Sequence, residues 1–157
     1  MQKITPFLWF NDNAEEAMNF YVSVFKNSKV KSVTRYTDAG PGPKGTVMTA
    51  EFELESQEFI ALNGGPNFKF NESISFVVNC ETQQEVDELW DKLTDGGQEI
   101  VCGWLKDRYG LAWQIVPTFV WEAMKRGDAT KTNRMMAAVM TMKKLDVAEL
   151  QRAYEGK

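Results

Sequence analysis

One ordered succession of signals recurs in this 157-residue chain and constrains its fold more than any single motif: an apolar run, an amphipathic helix and three β-rich runs, occurring twice. The first succession opens at Ile4–Phe10, an apolar and aromatic run with Pro6 near its start, where a missing N–H is tolerated. Asn13 with Glu16 then has the form of a capping box, and Ala14, Ala17, Met18, Tyr21 and Phe25 follow at helical spacing. Lys29–Tyr36, with Val30 and Val33 among polar residues, and Thr46–Leu54, with imperfect alternation, read as half-exposed strands, Glu58–Leu62 as a third strand, and Asn63-Gly64-Gly65-Pro66 is a dense turn signal.

The second succession opens with Ser73–Asn79. Thr82 and Glu85 then have capping-box spacing ahead of Val86, Leu89, Trp90 and Leu93, and Gly96-Gly97 ends the helix. Strands are expected at Glu99–Val101, Gly103–Lys106 and Leu111–Val116. The two halves share element order without visible residue identity. Beyond Pro117 the pattern is helical: Phe119–Lys125, a break at Gly127-Asp128, a stripe of Met135, Ala138, Val139 and Met142, and a final helix capped by Asp146 and Glu149. The Met-rich stripe reads as packing surface, since methionine fills irregular gaps.

Composition narrows the function. No histidine is present, which removes the usual general base and the commonest zinc ligand together. A net charge of −4 with scattered lysines and arginines offers no electrostatic grip on nucleic acid or an anionic membrane. No apolar run approaches the roughly 20 residues of a membrane span, and the N-terminus has no leader-like stretch, so a cytoplasmic single domain is expected. Cys80 and Cys102 form no CxxC pair and are expected as buried thiols.

Motifs divide between chemistry and packing. Gly40-Pro41-Gly42-Pro43-Lys44-Gly45 satisfies G-x-G-x-x-G, but a strand follows where a phosphate loop needs a helix, and two prolines remove N–H donors. A hairpin loop is expected. Asn63-Gly64-Gly65-Pro66 reads as the linker between repeats, or as backbone that lets a ligand approach. Cys102-Gly103-Trp104 and Trp113-Gln114 suit either a pocket wall or a core. Lys106–Gly110, with Asp107 and Tyr109, suits a charged surface turn or a substrate-orienting loop. Glu51, Glu53 and Glu55 alternate along one strand face and read as solvated. No nucleophile elbow, Walker loop or HExxH occurs.

The runs Ile4–Phe10, Ala14–Tyr21, Leu62–Pro66, Gly103–Pro117 and Met142–Asp146 together resemble the 3-demethylubiquinone 3-methyltransferase-like (PhnB-like) branch of the vicinal oxygen chelate superfamily, relatives of glyoxalase and bleomycin-resistance proteins. The resemblance implies an α+β fold of two βαβββ modules, about 1–65 and 70–117, whose curved mixed sheets form a cleft, with a helical tail over about 118–157. It also implies a homodimer.

Metal-dependent relatives carry His, Glu or Gln ligands on the first and last strands of each module. The corresponding positions here are Thr5 or Pro6, Asn63, Ser73 or Ser75, and Gln114, neutral oxygens that compete poorly for a transition metal. No metal and no other cofactor is therefore expected. The methyltransferase label implies S-adenosylmethionine, but no Gly-rich strand-to-helix turn is present to bind it. The expected function is a metal-free pocket for a small aromatic or amphipathic molecule, lined by Trp9, Asn63, Phe76, Cys102, Trp104, Asp107, Trp113 and Gln114. The alternative is an enzyme in which Gln114 and Asn63 assist a metal, or which transfers methyl groups, with Asp107, Tyr109 or Cys102 moving the proton.

Overall fold

The computed structural model describes residues 1–157, which form two compact units, Met1–Phe70 and Asn71–Lys157. In the first unit, β1 (Phe7–Phe10), α1 (Ala14–Val24), β2 (Ser28–Arg35), β3 (Val47–Leu54) and β4 (Gln57–Asn63) build one mixed sheet in the order β1-β4-β3-β2. Strand β1 runs parallel to β4, with Phe7 opposite Ile60 and Phe10 opposite Asn63, and the other pairs are antiparallel. The core side carries Leu8, Phe10, Ala50, Phe52, Phe59 and Ala61, buried with Ala14, Ala17, Met18 and Tyr21 of α1.

The second unit repeats the order: β5 (Ser75–Cys80), α2 (Gln83–Thr94), β6 (Gln98–Glu99), β7 (Trp104–Lys106) and β8 (Ala112–Pro117) form a sheet β5-β8-β7-β6, with β5 and β8 parallel. Three helices follow, α3 (Thr118–Lys125), α4 (Ala129–Val139) and α5 (Val147–Glu155). Their apolar faces, with Met135, Val139, Leu145, Leu150 and Tyr154, close over Val116 in a shared cluster. The Met-rich stripe is thus packing surface: Met135 is buried and Met136 and Met142 pack against the same cluster. No helix is long and apolar enough to cross a membrane.

Caps form where the spacing predicted them at α2 and α5: Thr82 accepts from Glu85 N (3.2 Å) and Asp146 from Glu149 N (3.0 Å). Asp128 does the same for α4, accepting from Lys131 N at 3.0 Å. The capping box expected at Asn13 does not form, as its side chain makes no cap bond. The first strand is shorter than the apolar run suggested. Ile4 is 84% exposed and pairing starts at Phe7, preceded by one bond from Ile60 N to the Pro6 carbonyl (3.0 Å). Likewise the strand expected to reach Val101 stops at Glu99, because Cys102 turns into the left-handed region (φ 62°).

The Gly-Pro segment is a hairpin loop between β2 and β3, closed by Tyr36 N to Thr46 O and Gly45 N to Tyr36 O, both 2.9 Å. Its glycines let the chain fold against the Tyr36 ring. A Cβ on Gly42 would lie 2.4 Å from a Tyr36 ring carbon. Glu51 and Glu53 line the solvent side of β3, with Glu53 paired to Lys29, and Glu55 sits in the β3–β4 turn.

Candidate functional site

At one end of the first sheet, the β1–α1 turn, the β2–β3 loop and the chain leaving β4 enclose a cavity of about 460 Å³. Its lining includes Asp12, Glu15, Tyr36, Pro41, Pro43 and Asn63. Asn63 organises this end. Its Oδ1 accepts from Ala14 N (2.8 Å), supplying the helix cap that Asn13 does not, while its Nδ2 donates to Val47 O (3.1 Å). Its carbonyl accepts from the Tyr36 hydroxyl at 2.5 Å.

Gly64 N and Gly65 N then extend the pairing to Phe10 O and Asn11 O, at 2.9 and 3.1 Å. The Trp9 indole donates to Gly65 O (2.9 Å) and packs so closely on Gly64 that a Cβ there would lie 2.4 Å from the ring. Asn63-Gly64-Gly65 is therefore a fixed wall, and the division between units falls later, at Phe70. Asn63→Ala is expected to cost about 1–2 kcal/mol through the lost cap and the unpaired Val47 carbonyl, whereas Asn13→Ala stays within about 0.5 kcal/mol. Urea unfolding of both variants checks this; equal costs would remove Asn63 as the cap.

In the second unit, strand alternation sorts the expected site residues onto two faces. Trp104 pairs in register with Gln114 on the more open face, where Gln114 Nε2 donates to Ser75 Oγ (2.9 Å) and Lys106 pairs with Glu72. Trp113 falls on the other face, 3% exposed and tilted against the half-buried Phe76 with ring centroids 5.6 Å apart. Trp113 is thus core of the second unit, and Phe76 covers it from a half-buried position.

Asp107 is also buried, at 3% exposure: Oδ1 accepts from Tyr109 N (2.8 Å) and Leu111 N (3.1 Å), and Oδ2 from Trp113 Nε1 (2.9 Å). It anchors the turn and is not presented to a substrate. Cys102 is half-buried rather than buried. Its backbone N–H donates to Met142 O (2.8 Å) and its Sγ lies 3.5 Å from Met140 Sδ, which places it at the helical tail, away from the Trp104–Gln114 face. Cys80 is buried, and desolvation pushes its thiol up to about 12, leaving it protonated and unreactive at neutral pH.

Neither implied cofactor fits these residues. Asn63 Oδ1 is spent on Ala14 N, Gln114 is tied to Ser75 through its Nε2 and offers at most one neutral oxygen, Ser73 bonds Asn71, and no three His, Cys, Asp or Glu side chains converge. For S-adenosylmethionine, the strand-to-helix turns would have to be glycine-rich, yet they read Asn11-Asp12-Asn13 and Glu81-Thr82. The cavity residues Asp12, Glu15 and Tyr36 were not among the expected site residues, and Pro41 and Pro43 were expected only as part of a hairpin loop. Carboxylates at a helix start read as complements to its dipole, and prolines in a hairpin as turn chemistry.

The sequence model of the 3-demethylubiquinone-9 3-methyltransferase family matches residues 2–116. Among solved structures, a putative 3-demethylubiquinone-9 3-methyltransferase, PhnB protein, from Bacillus cereus is 42% identical, with a TM-score of 0.68 over 74% of this chain and 99% of its own. A protein from Pseudomonas aeruginosa is 23% identical, with a TM-score of 0.62 over 74% and 98% of the two chains. The fosfomycin resistance protein FosX from Listeria monocytogenes, solved with Mn(II) and sulfate, shares the fold at 13% identity and a TM-score of 0.56, over 81% and 99%. A search of curated proteins finds no match.

Proposed function

Since this chain belongs to the 3-demethylubiquinone-9 3-methyltransferase family, on the glyoxalase and bleomycin-resistance fold, we propose that it is a metal-free binding module for a small amphipathic or aromatic molecule. The observation that carries this reading is the cavity at the end of the first sheet. Its volume of about 460 Å³ lies within the roughly 300–1,000 Å³ of small-molecule sites, and hydrogen bonds fix its walls before any ligand arrives. Trp104, Gln114 and Ser75 add a second polar and aromatic surface on the open face of the other sheet.

The occupied Asn63 Oδ1 and the absence of any converging group of His, Cys, Asp or Glu side chains support the metal-free part of the proposal, and the glycine-free turns favour binding over methyl transfer. In the same reading the protein is a homodimer, as the family resemblance implies, and works in the cytoplasm.

Thermal unfolding of chelator-treated protein tests the proposal against divalent metals, S-adenosylmethionine and a panel of small amphipathic and aromatic compounds. A ligand at 100 times its Kd adds about 2.7 kcal/mol of stability. The expected result is a shift with an organic compound alone. A shift with a metal that disappears in Gln114→Ala would replace this reading with a metal-assisted enzyme, and one with S-adenosylmethionine would replace it with a methyltransferase.

A further inference from the structure

The lining of the cavity in the first unit carries charge of one sign only. Among its lining residues Asp12 and Glu15 bear carboxylates and none bears a cation. Neither carboxylate takes part in an ion pair. The bases on the neighbouring hairpin are already committed: Lys44 pairs with Asp38 at 3.1 Å, and Arg35 donates to Gly45 O at 3.2 Å. The same lining includes Pro41, Pro43 and Val47, which supply apolar surface.

Three of the backbone donors beside this cavity are spent. A helix N-terminus ordinarily offers free N–H groups to a negative ligand, but Ala14 N is taken by Asn63, and Gly64 N and Gly65 N by backbone carbonyls. The charge that the lining offers a guest is negative, and Pro41, Pro43 and Val47 offer it hydrocarbon.

Resting on the binding-module reading above, we infer that this cavity takes a small organic cation: an ammonium or guanidinium head set between Asp12 and Glu15, carried on an apolar body that lies against Pro41, Pro43 and Val47. The carboxylates also favour the dipole of α1. That role shows in stability alone, whereas a binding role shows in which charge the guest carries.

The test uses three probes of nearly one shape, benzylamine, benzyl alcohol and benzoate, titrated into the full chain. Backbone amide shifts of Gly64 and Gly65 and the indole N–H of Trp9 report occupancy of this cavity. Benzylamine is expected to bind at least about 5-fold more tightly than benzyl alcohol, with benzoate weakest and with added salt eroding the preference. Asp12→Asn and Glu15→Gln should each weaken benzylamine about 5-fold while leaving benzyl alcohol unchanged. Equal affinity for all three probes at these amides overturns the cation assignment and leaves the binding module intact. If no probe moves them while another compound stabilises the protein, this cavity is not the site and the inference falls; if nothing binds anywhere, the module reading falls with it.

Discussion

Replacing Asp107 by alanine is expected to lower the unfolding free energy by about 3–5 kcal/mol, among the largest effects of any single side chain here. The carboxylate is buried and accepts hydrogen bonds from two backbone N–H groups in its own turn and from the Trp113 indole. Bonds to an ionised acceptor contribute about 1.5–3 kcal/mol each, and removal also strands donors with no water to replace the lost oxygen. Neighbouring backbone leaves no slack for repair. A Cβ on Gly97 would lie 2.2 Å from Lys106 O and 3.0 Å from Asp107 Cα, so the turn cannot collapse in that direction.

Asp107→Asn should recover only part of the loss, because its amide N–H would confront the donor it was meant to satisfy, either Trp113 Nε1 or the pair of backbone N–H groups. Urea unfolding of the three proteins settles the matter, and a cost below about 1 kcal/mol for the alanine variant would show that the turn does not depend on this group. The turn also sets where β8 begins. A shifted Leu111 would displace Gln114 from Ser75, so Asp107 acts on the open face by positioning rather than by contact.

Asp107 also shows where the sequence stops being informative. Lys106–Gly110 reads as a polar turn, and it is one, but nothing local reveals that the carboxylate folds inward to meet a tryptophan six residues on. Asn13 fails for the same reason. Its spacing to Glu16 is that of a capping box, yet the cap comes from Asn63, 49 residues from Ala14, and a long-range partner leaves no local trace. Elements whose bonds are local, such as the Thr82, Asp146 and hairpin signals, were legible.

The repeated element order was equally legible, because it needs only periodicity and punctuation. Grouping the aromatics into one wall was less sound. Trp113 and Gln114 are adjacent on a strand and must point to opposite faces, whereas Trp104 and Gln114 share a face only through the register of β7 on β8, which no spacing in the chain encodes. The cavity arose from three segments meeting at one sheet end, each with an adequate local explanation of its own.

Leu145→Ala is expected to cost about 3 kcal/mol, within the 2–5 kcal/mol typical of emptying a filled site, while Met140→Ala should stay within about 0.5 kcal/mol. Leu145 is 2% exposed in the link between α4 and α5 and packs in the tail cluster, whereas Met140, five residues earlier, is 66% exposed. The Leu145 side chain reaches to 3.0 Å from the position a Cβ on Gly103 would occupy, at the loop whose Gly103 N donates to Lys143 O (2.8 Å). Gln83 of α2 closes the other side, donating to Leu145 O (3.1 Å) and accepting from Val147 N (2.8 Å). The family match ends at residue 116, before any of these tail residues. A cost for Leu145→Ala near that of Met140→Ala in urea unfolding would mean the tail merely rests on the second unit. The expected large difference makes it part of that unit's core, because the cavity left at Leu145 lies between the tail and the Gly103 loop that leads into β7.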